Sequence, residues 1–130
     1  MISRKDLRAK ARSYLRDAEA LLRAKRFDGA YYICGYAVEL ALKARICRTL
    51  KWPGFPETSG EFRDLQSFRT HNLDLLLKLS GIEDRVTTSC RREWTEVIGW
   101  DPQKRYRMLG LSATEASKMI TSVEKVLEFL

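Results

Sequence analysis

The sequence has few residues that could bind a metal ion. His71 is its only histidine, and Cys34, Cys47 and Cys90 form no C-x-x-C pair. A structural zinc site needs four suitably spaced ligands. We therefore expect neither a metal ion nor another cofactor. The cysteines are odd in number and lie in apolar surroundings. We therefore expect them to be small buried side chains in a reducing cytoplasm.

Long uncharged apolar runs and the motifs of common enzymes are also missing. The most apolar stretch, 28–50, is interrupted by four charged residues in its second half, which excludes a membrane-spanning helix. The first ten residues lack the apolar core of a signal peptide. There is no glycine-rich phosphate loop, no G-x-S-x-G and no H-E-x-x-H sequence. We expect a cytoplasmic protein without membrane contact.

Helical periodicity accounts for most of the sequence, and no stretch alternates with a period of two over the length of a strand. The pattern predicts one domain over residues 1–130, an all-α, up-and-down four-helix bundle with an additional short helix. Its connections are expected at the Pro-Gly segment 51–60 and at 100–107. The predicted helices span 3–25, 28–50, about 71–80, 83–99 and 112–130.

The stretch 28–50 is the most informative part of the chain. It is apolar on nearly every face, which is typical of a central helix enclosed by others. Asp28 is expected to cap its start. Glu39 and Lys43 lie four positions apart within it, the spacing and order of a favourable ion pair. The pair is expected either to stabilise helix packing or to belong to a binding site.

Positive charge is concentrated in the first two predicted helices. The net charge is +7, and residues 1–51 hold 13 basic and 5 acidic residues. This excess suits a solvated helix face, or a surface that attracts phosphate groups or an acidic protein. The residues that could form such a basic face are Arg4, Lys5, Arg8, Arg12, Arg16, Arg23, Lys25 and Arg26.

Two further positions are candidates for chemistry. His71 is expected to cap the short third helix, and a general base is the alternative. Arg105 and Tyr106, in the connection before the last helix, combine a guanidinium with an aromatic ring. Such a pair can bind a phosphate and stack a base, or it can pack against carboxylates of the bundle.

Several of these segments resemble HEPN domains in their order and spacing. The resemblance rests on D17-AEALL-L22, F27-DGAY-Y32, A37-VELALK-A44, T70-HN-L73, Arg105-Tyr106 and the last helix with Glu115-Ala116. It covers roughly residues 7–130. It implies a helical bundle of prokaryotic origin that forms a homodimer. It also implies a small nucleotidyltransferase encoded nearby, as in a toxin–antitoxin pair or a nucleotide-handling complex.

The sequence departs from the ribonuclease members of that family. Those members carry an arginine followed four to six residues later by a histidine, near the last long helix. No histidine occurs in 91–107, and His71 follows Arg69 by two residues and Arg63 by eight. The resemblance therefore transfers no catalytic residue. It transfers only Glu39, Lys43, Arg105 and Tyr106, as a nucleotide- or partner-binding site.

We therefore expect a non-catalytic binding subunit that contacts a nucleotidyltransferase, a nucleotide, or both. One alternative is a divergent metal-independent ribonuclease toxin that uses His71 with Arg69 or Arg105. The other is an RNA-binding module that works through the basic first helix. We also expect a homodimer, because large apolar side chains, Trp52, Phe55 and Trp100 among them, lie on connections.

Overall fold

The computed structural model describes the whole chain except the side chains of Lys104 and Arg105. Its described part is mostly helical, with one short antiparallel pair of strands. In chain order the elements are β1 (Ile2–Ser3), α1 (Arg4–Arg23), α2 (Phe27–Leu50), β2 (Gly54–Phe55), a 3-10 turn (Gln66–Phe68), α3 (Leu73–Ser80), α4 (Glu83–Ser89), α5 (Arg91–Val97), a second 3-10 turn (Pro102–Tyr106) and α6 (Ala113–Leu127). The predicted all-α class is confirmed.

Helices α1 and α2 form an antiparallel hairpin. The Ser3 hydroxyl accepts the Asp6 N–H at 3.0 Å and so caps α1, as the sequence predicts. Near the other end of α1, Leu21 packs within van der Waals reach of Gly29 in the first turn of α2. Strand β1, before α1, pairs with β2, after α2. The start of α1 therefore lies beside the end of α2.

Helix α2 is the centre of the fold and packs against α1, α3 and α6. Residues on nearly all of its faces are buried, so the prediction of a central helix is confirmed. Small residues allow the close approach of its neighbours. The clearest case is Gly35, where a Cβ atom would overlap the indole of Trp100. The Trp100 Nε1–H donates to the Tyr32 carbonyl at 3.0 Å and fixes the ring in this position.

Two helix starts differ from the sequence-based expectation. Helix α2 begins at Phe27 and its N-cap is Arg26, so the assignment of Asp28 as the cap is wrong. The Asp28 carboxylate instead accepts three backbone N–H groups from the segment 109–111, before α6. Helix α3 is capped by the Asn72 side chain, which accepts the Leu75 N–H at 3.0 Å. His71 is therefore not its cap.

The helix predicted over 83–99 is two helices, α4 and α5. The break is at Cys90, whose backbone dihedrals, φ −141° and ψ 48°, are not helical. The residues before it, Thr87, Thr88 and Ser89, are weak helix formers, because their hydroxyls compete for backbone groups. The Thr87 hydroxyl donates to the Glu83 carbonyl at 2.9 Å, for example.

Large apolar side chains of the connections pack within the chain. Phe55 is 2% exposed and Trp100 is 5% exposed, while Trp52 is partly buried against Phe55 and Phe68. Phe55 and Trp100 therefore do not supply the exposed apolar surface on which the homodimer expectation partly rests. All three cysteines are buried and unpaired, as expected. Within the described residues, no helix combines the length and apolar character needed to cross a membrane.

Candidate functional site

A buried carboxylate on α2 is the centre of the candidate site. The Glu39 side chain is only 4% exposed, and in the described part of the chain Glu39 is the one charged residue that is buried. Its Oε1 atom lies 2.7 Å from Nδ1 of His71, and its Oε2 atom lies 3.4 Å from Nζ of Lys43. Each carboxylate oxygen thus has its own partner, which offsets the cost of burying the charge.

His71 is held by this carboxylate but remains open to solvent. It precedes Asn72, the cap of α3, and its side chain is 63% exposed. An ionised carboxylate only accepts hydrogen bonds, so the bond to Glu39 places a proton on Nδ1. In the neutral ring the lone pair is then on Nε2, which is the arrangement of an oriented acid or base.

Lys43 is held on two sides. Its side chain is 16% exposed, and its ammonium lies 5.3 Å from the centre of the Phe55 ring as well as near Glu39. Phe55 belongs to β2, so one lysine connects α2 with the strand that follows it. The Glu39–Lys43 pair predicted from the sequence is present, and it lies in the core as expected.

Arg69 precedes His71 by two residues, but its guanidinium group is engaged elsewhere. It donates to the Ser59 hydroxyl at 3.4 Å and lies 5.6 Å from the centre of the Phe62 ring. Both of these residues belong to the loop between β2 and the first 3-10 turn. The structure therefore directs Arg69 toward that loop.

The second half of the predicted site, Arg105 and Tyr106, belongs to the second 3-10 turn. Arg105 is outside the described side chains, and Tyr106 is 73% exposed in the second 3-10 turn. Arg107, next in the chain, lines a cavity of about 260 Å³ at the start of α2, together with Tyr32. Glu39 lies two helical turns beyond Tyr32, or about 10 Å along the axis. The structure brings Glu39 and Lys43 together, and it places Arg107, the residue after Tyr106, beside the cavity at the start of α2.

The contact between Glu39 and His71 was not predicted from the sequence. The two residues are 32 positions apart, and periodicity relates only residues of one element. Both belong, however, to stretches on which the HEPN resemblance rests, A37-VELALK-A44 and T70-HN-L73. That coincidence was the available signal. In the described residues, no group of three or more histidine, cysteine or acidic side chains is arranged to hold a metal ion.

Comparison with known proteins gives one match. A family model described as HEPN domain matches residues 5–130. No curated protein and no solved structure matches the chain.

Proposed function

The chain belongs to the HEPN family, and from that premise we propose that it is a non-catalytic binding subunit. Its counterpart in this proposal is a small nucleotidyltransferase, a nucleotide, or both, in a system of the toxin–antitoxin kind. Family membership supports a general nucleotide- or RNA-related role. The non-catalytic role and the particular partner go beyond that membership.

The observation that carries the proposal is the placement of Arg69, the arginine nearest in sequence to the only histidine. The contact of His71 is with Glu39, at 2.7 Å, and the guanidinium of Arg69 is directed to Ser59 and Phe62. The resemblance implies that ribonuclease members carry an arginine four to six residues before their histidine. Among the described side chains, none gives His71 a guanidinium partner, which supports binding rather than cleavage.

The arrangement is suited to an anionic ligand. Glu39 contacts both the ammonium of Lys43 and the ring of His71. When that ring is protonated, two cations lie around one carboxylate, and the net charge of the three groups is positive. A ligand phosphate or a partner carboxylate could then accept from the exposed edge of His71. Arg105 and Tyr106 are proposed to bind a second part of the same counterpart, with Tyr106 as a stacking surface.

The two parts of the proposed site leave both counterparts open. Tyr32, which lines the cavity beside Arg107, and Glu39 are about 10 Å apart along the axis of α2. An extended nucleoside triphosphate and a protein surface both cover that length, so the proposal keeps both.

Binding measurements on the purified chain test the proposal. We expect ATP, titrated calorimetrically, to bind weakly, and any small nucleotidyltransferase encoded next to the chain, when co-expressed, to co-purify with it. Tyr106→Ala should weaken the complex, whereas Tyr106→Phe, which keeps the stacking ring, should retain it. Failure of both ATP and the co-expressed protein to bind would contradict the proposal.

A second candidate is favoured by the contact between Glu39 and His71. An exposed imidazole that is oriented by a buried carboxylate is the usual arrangement of a general acid or base, so His71 could take part in metal-independent RNA cleavage. In that case the arginine that acts with His71 would be Arg105, or Arg69 after a movement of its side chain. Cleavage of RNA that depends on His71 would distinguish this candidate from the first.

A further inference from the structure

A groove lined by arginines lies between α1, α2 and the end of the chain. Arg4, Arg8 and Arg12 on α1 face Arg45 and Arg48 on α2 across a cavity of about 220 Å³. A spacing of four residues keeps the three α1 side chains on one helix face, about 6 Å apart along the axis. Five guanidinium groups therefore line one depression.

Five arginines and one acidic residue, Glu128, line this groove, so the charge around it is positive. None of the ion pairs in the described part of the structure includes an arginine. The acidic side chain that lines the cavity is Glu128, and it pairs with Lys125 at 3.4 Å. Like charges brought together in this way repel each other unless an anion lies between them.

The surroundings of Arg45 are unfavourable for its charge. Its Nε atom is buried and has no hydrogen-bond partner, which is unusual for a buried polar group. Burial lowers the pKa of Arg45, and the charges of Arg48, Arg85 and Arg4 lower it further. An anion bound in the groove would relieve the repulsion among the guanidinium groups.

We propose that this groove binds the phosphate groups of RNA or of a free polyphosphate such as a nucleoside triphosphate. The planar guanidinium fork of arginine donates two parallel N–H groups to a phosphate, which makes arginine better suited than lysine to this role. The row on α1 and the pair on α2 can contact successive phosphates.

The groove is separate from the Glu39 site. Lys43 and Arg45 are two residues apart in α2 and therefore project about 200° apart, on opposite helix faces. The inference does not rest on the proposed function. Loss of phosphate binding here would leave the binding role of Glu39, Lys43 and His71 untouched.

Fluorescence anisotropy with a labelled single-stranded RNA of about ten nucleotides tests the groove, with tripolyphosphate titrated in parallel. The variant is Arg45→Gln with Arg48→Gln, and the matched control is Arg23→Gln with Arg63→Gln, which removes the same charge away from the groove. We expect the groove variant to bind at least about tenfold more weakly, and the slope of log affinity against log salt concentration to become shallower by about 1–2, as for two lost phosphate contacts. The control should change by less than about twofold.

The two ligands identify the source of the phosphate. If the groove variant loses affinity for RNA but not for tripolyphosphate, the groove is assigned to an RNA backbone. If it loses affinity for both ligands, the groove is assigned to phosphate groups in general. If the groove variant loses affinity for tripolyphosphate but not for RNA, the groove is assigned to a free nucleotide. Equal losses in the groove variant and the control, no binding of either ligand, or equally tight binding of polyglutamate would overturn the proposal.

Folding of the variants is checked by thermal melting. Removing Arg45 relieves repulsion, so the melting temperature of the groove variant should not fall. Arg8→Gln with Arg48→Gln, at two exposed positions, repeats the test without disturbing a buried atom. It should show the same direction of change in RNA or tripolyphosphate affinity, and unchanged affinity for both would also overturn the proposal.

Discussion

Glu39 and His71, 32 positions apart in the sequence, meet through a contact of 2.7 Å between Oε1 and Nδ1. The contact connects the middle of the central helix α2 to the residue before the cap of α3. Because the other carboxylate oxygen holds Lys43, the two basic side chains depend on one buried acid. This dependence makes Glu39 the position whose replacement should disturb both stability and binding.

Glu39→Ala is expected to lower the free energy of unfolding by about 3 kcal/mol, because Lys43 would be left mostly buried without its partner. The exposure of His71 keeps the loss near the lower end of the range for buried pairs. Urea unfolding measures the change. The double variant with Lys43→Met should recover part of it, and a loss of only a few tenths of a kcal/mol would show that the pair is solvated.

Gly35→Ala and Gly29→Ala form a matched pair in α2. At Gly35 the new methyl group would overlap the Trp100 indole, so a destabilisation of about 3 kcal/mol is expected. At Gly29 it would lie 3.6 Å from Leu21, an ordinary contact, and the better helix propensity of alanine should stabilise by about 0.5–1 kcal/mol. Thermal unfolding measures both changes. Equal effects at the two positions would contradict this packing.

Asp28 should make stability depend on acid pH. The N–H of Leu111 lowers the pKa of Asp28 below its ordinary value of 3.8, as do those of Leu109 and Gly110, and burial opposes them. A lowered folded-state pKa stabilises the fold above the unfolded value, and this contribution is lost as pH falls through the folded value.

Asp28→Asn should accordingly cost about 1–2 kcal/mol at neutral pH, allowing for partial exposure. The difference from the unsubstituted chain should shrink as the pH drops below about 4. Denaturant unfolding at several pH values measures it. A difference that is constant down to about pH 2 would rule out this carboxylate as the cause.

The homodimer remains a prediction. Its support in the structure is a set of exposed apolar side chains, among them Leu50, Leu75, Ile98 and Met108, the last of which is 96% exposed. Light scattering at micromolar concentration should give twice the mass of the chain. The mass of a single chain would contradict the expectation.

The fold was largely predictable because local signals and burial agree in most of the chain. The capping box of Ser112 and Glu115 marks the start of α6, and Gly81, with φ 80°, ends α3 as the sequence indicates. The break of the predicted helix at Cys90 is the main exception. A run of three hydroxyl residues before Cys90 weakens the helix without a proline or glycine to mark the end.

The candidate site was only half predictable. Glu39 and Lys43 are neighbours on one helix, so their spacing is visible in the sequence. His71 reaches Glu39 only because α3 packs on α2, and Asp28 receives the segment before α6 only because that segment crosses the start of α2. These contacts depend on tertiary packing, which helical periodicity does not specify.

Incubation of the purified chain with structured and single-stranded RNA, without added metal, tests the central claim most directly. The non-catalytic account predicts that the RNA remains intact and that the unsubstituted chain and His71→Ala behave alike. Cleavage by the unsubstituted chain that His71→Ala abolishes, while His71→Ala keeps the thermal stability of the fold, would contradict the account and establish His71 as a catalytic residue.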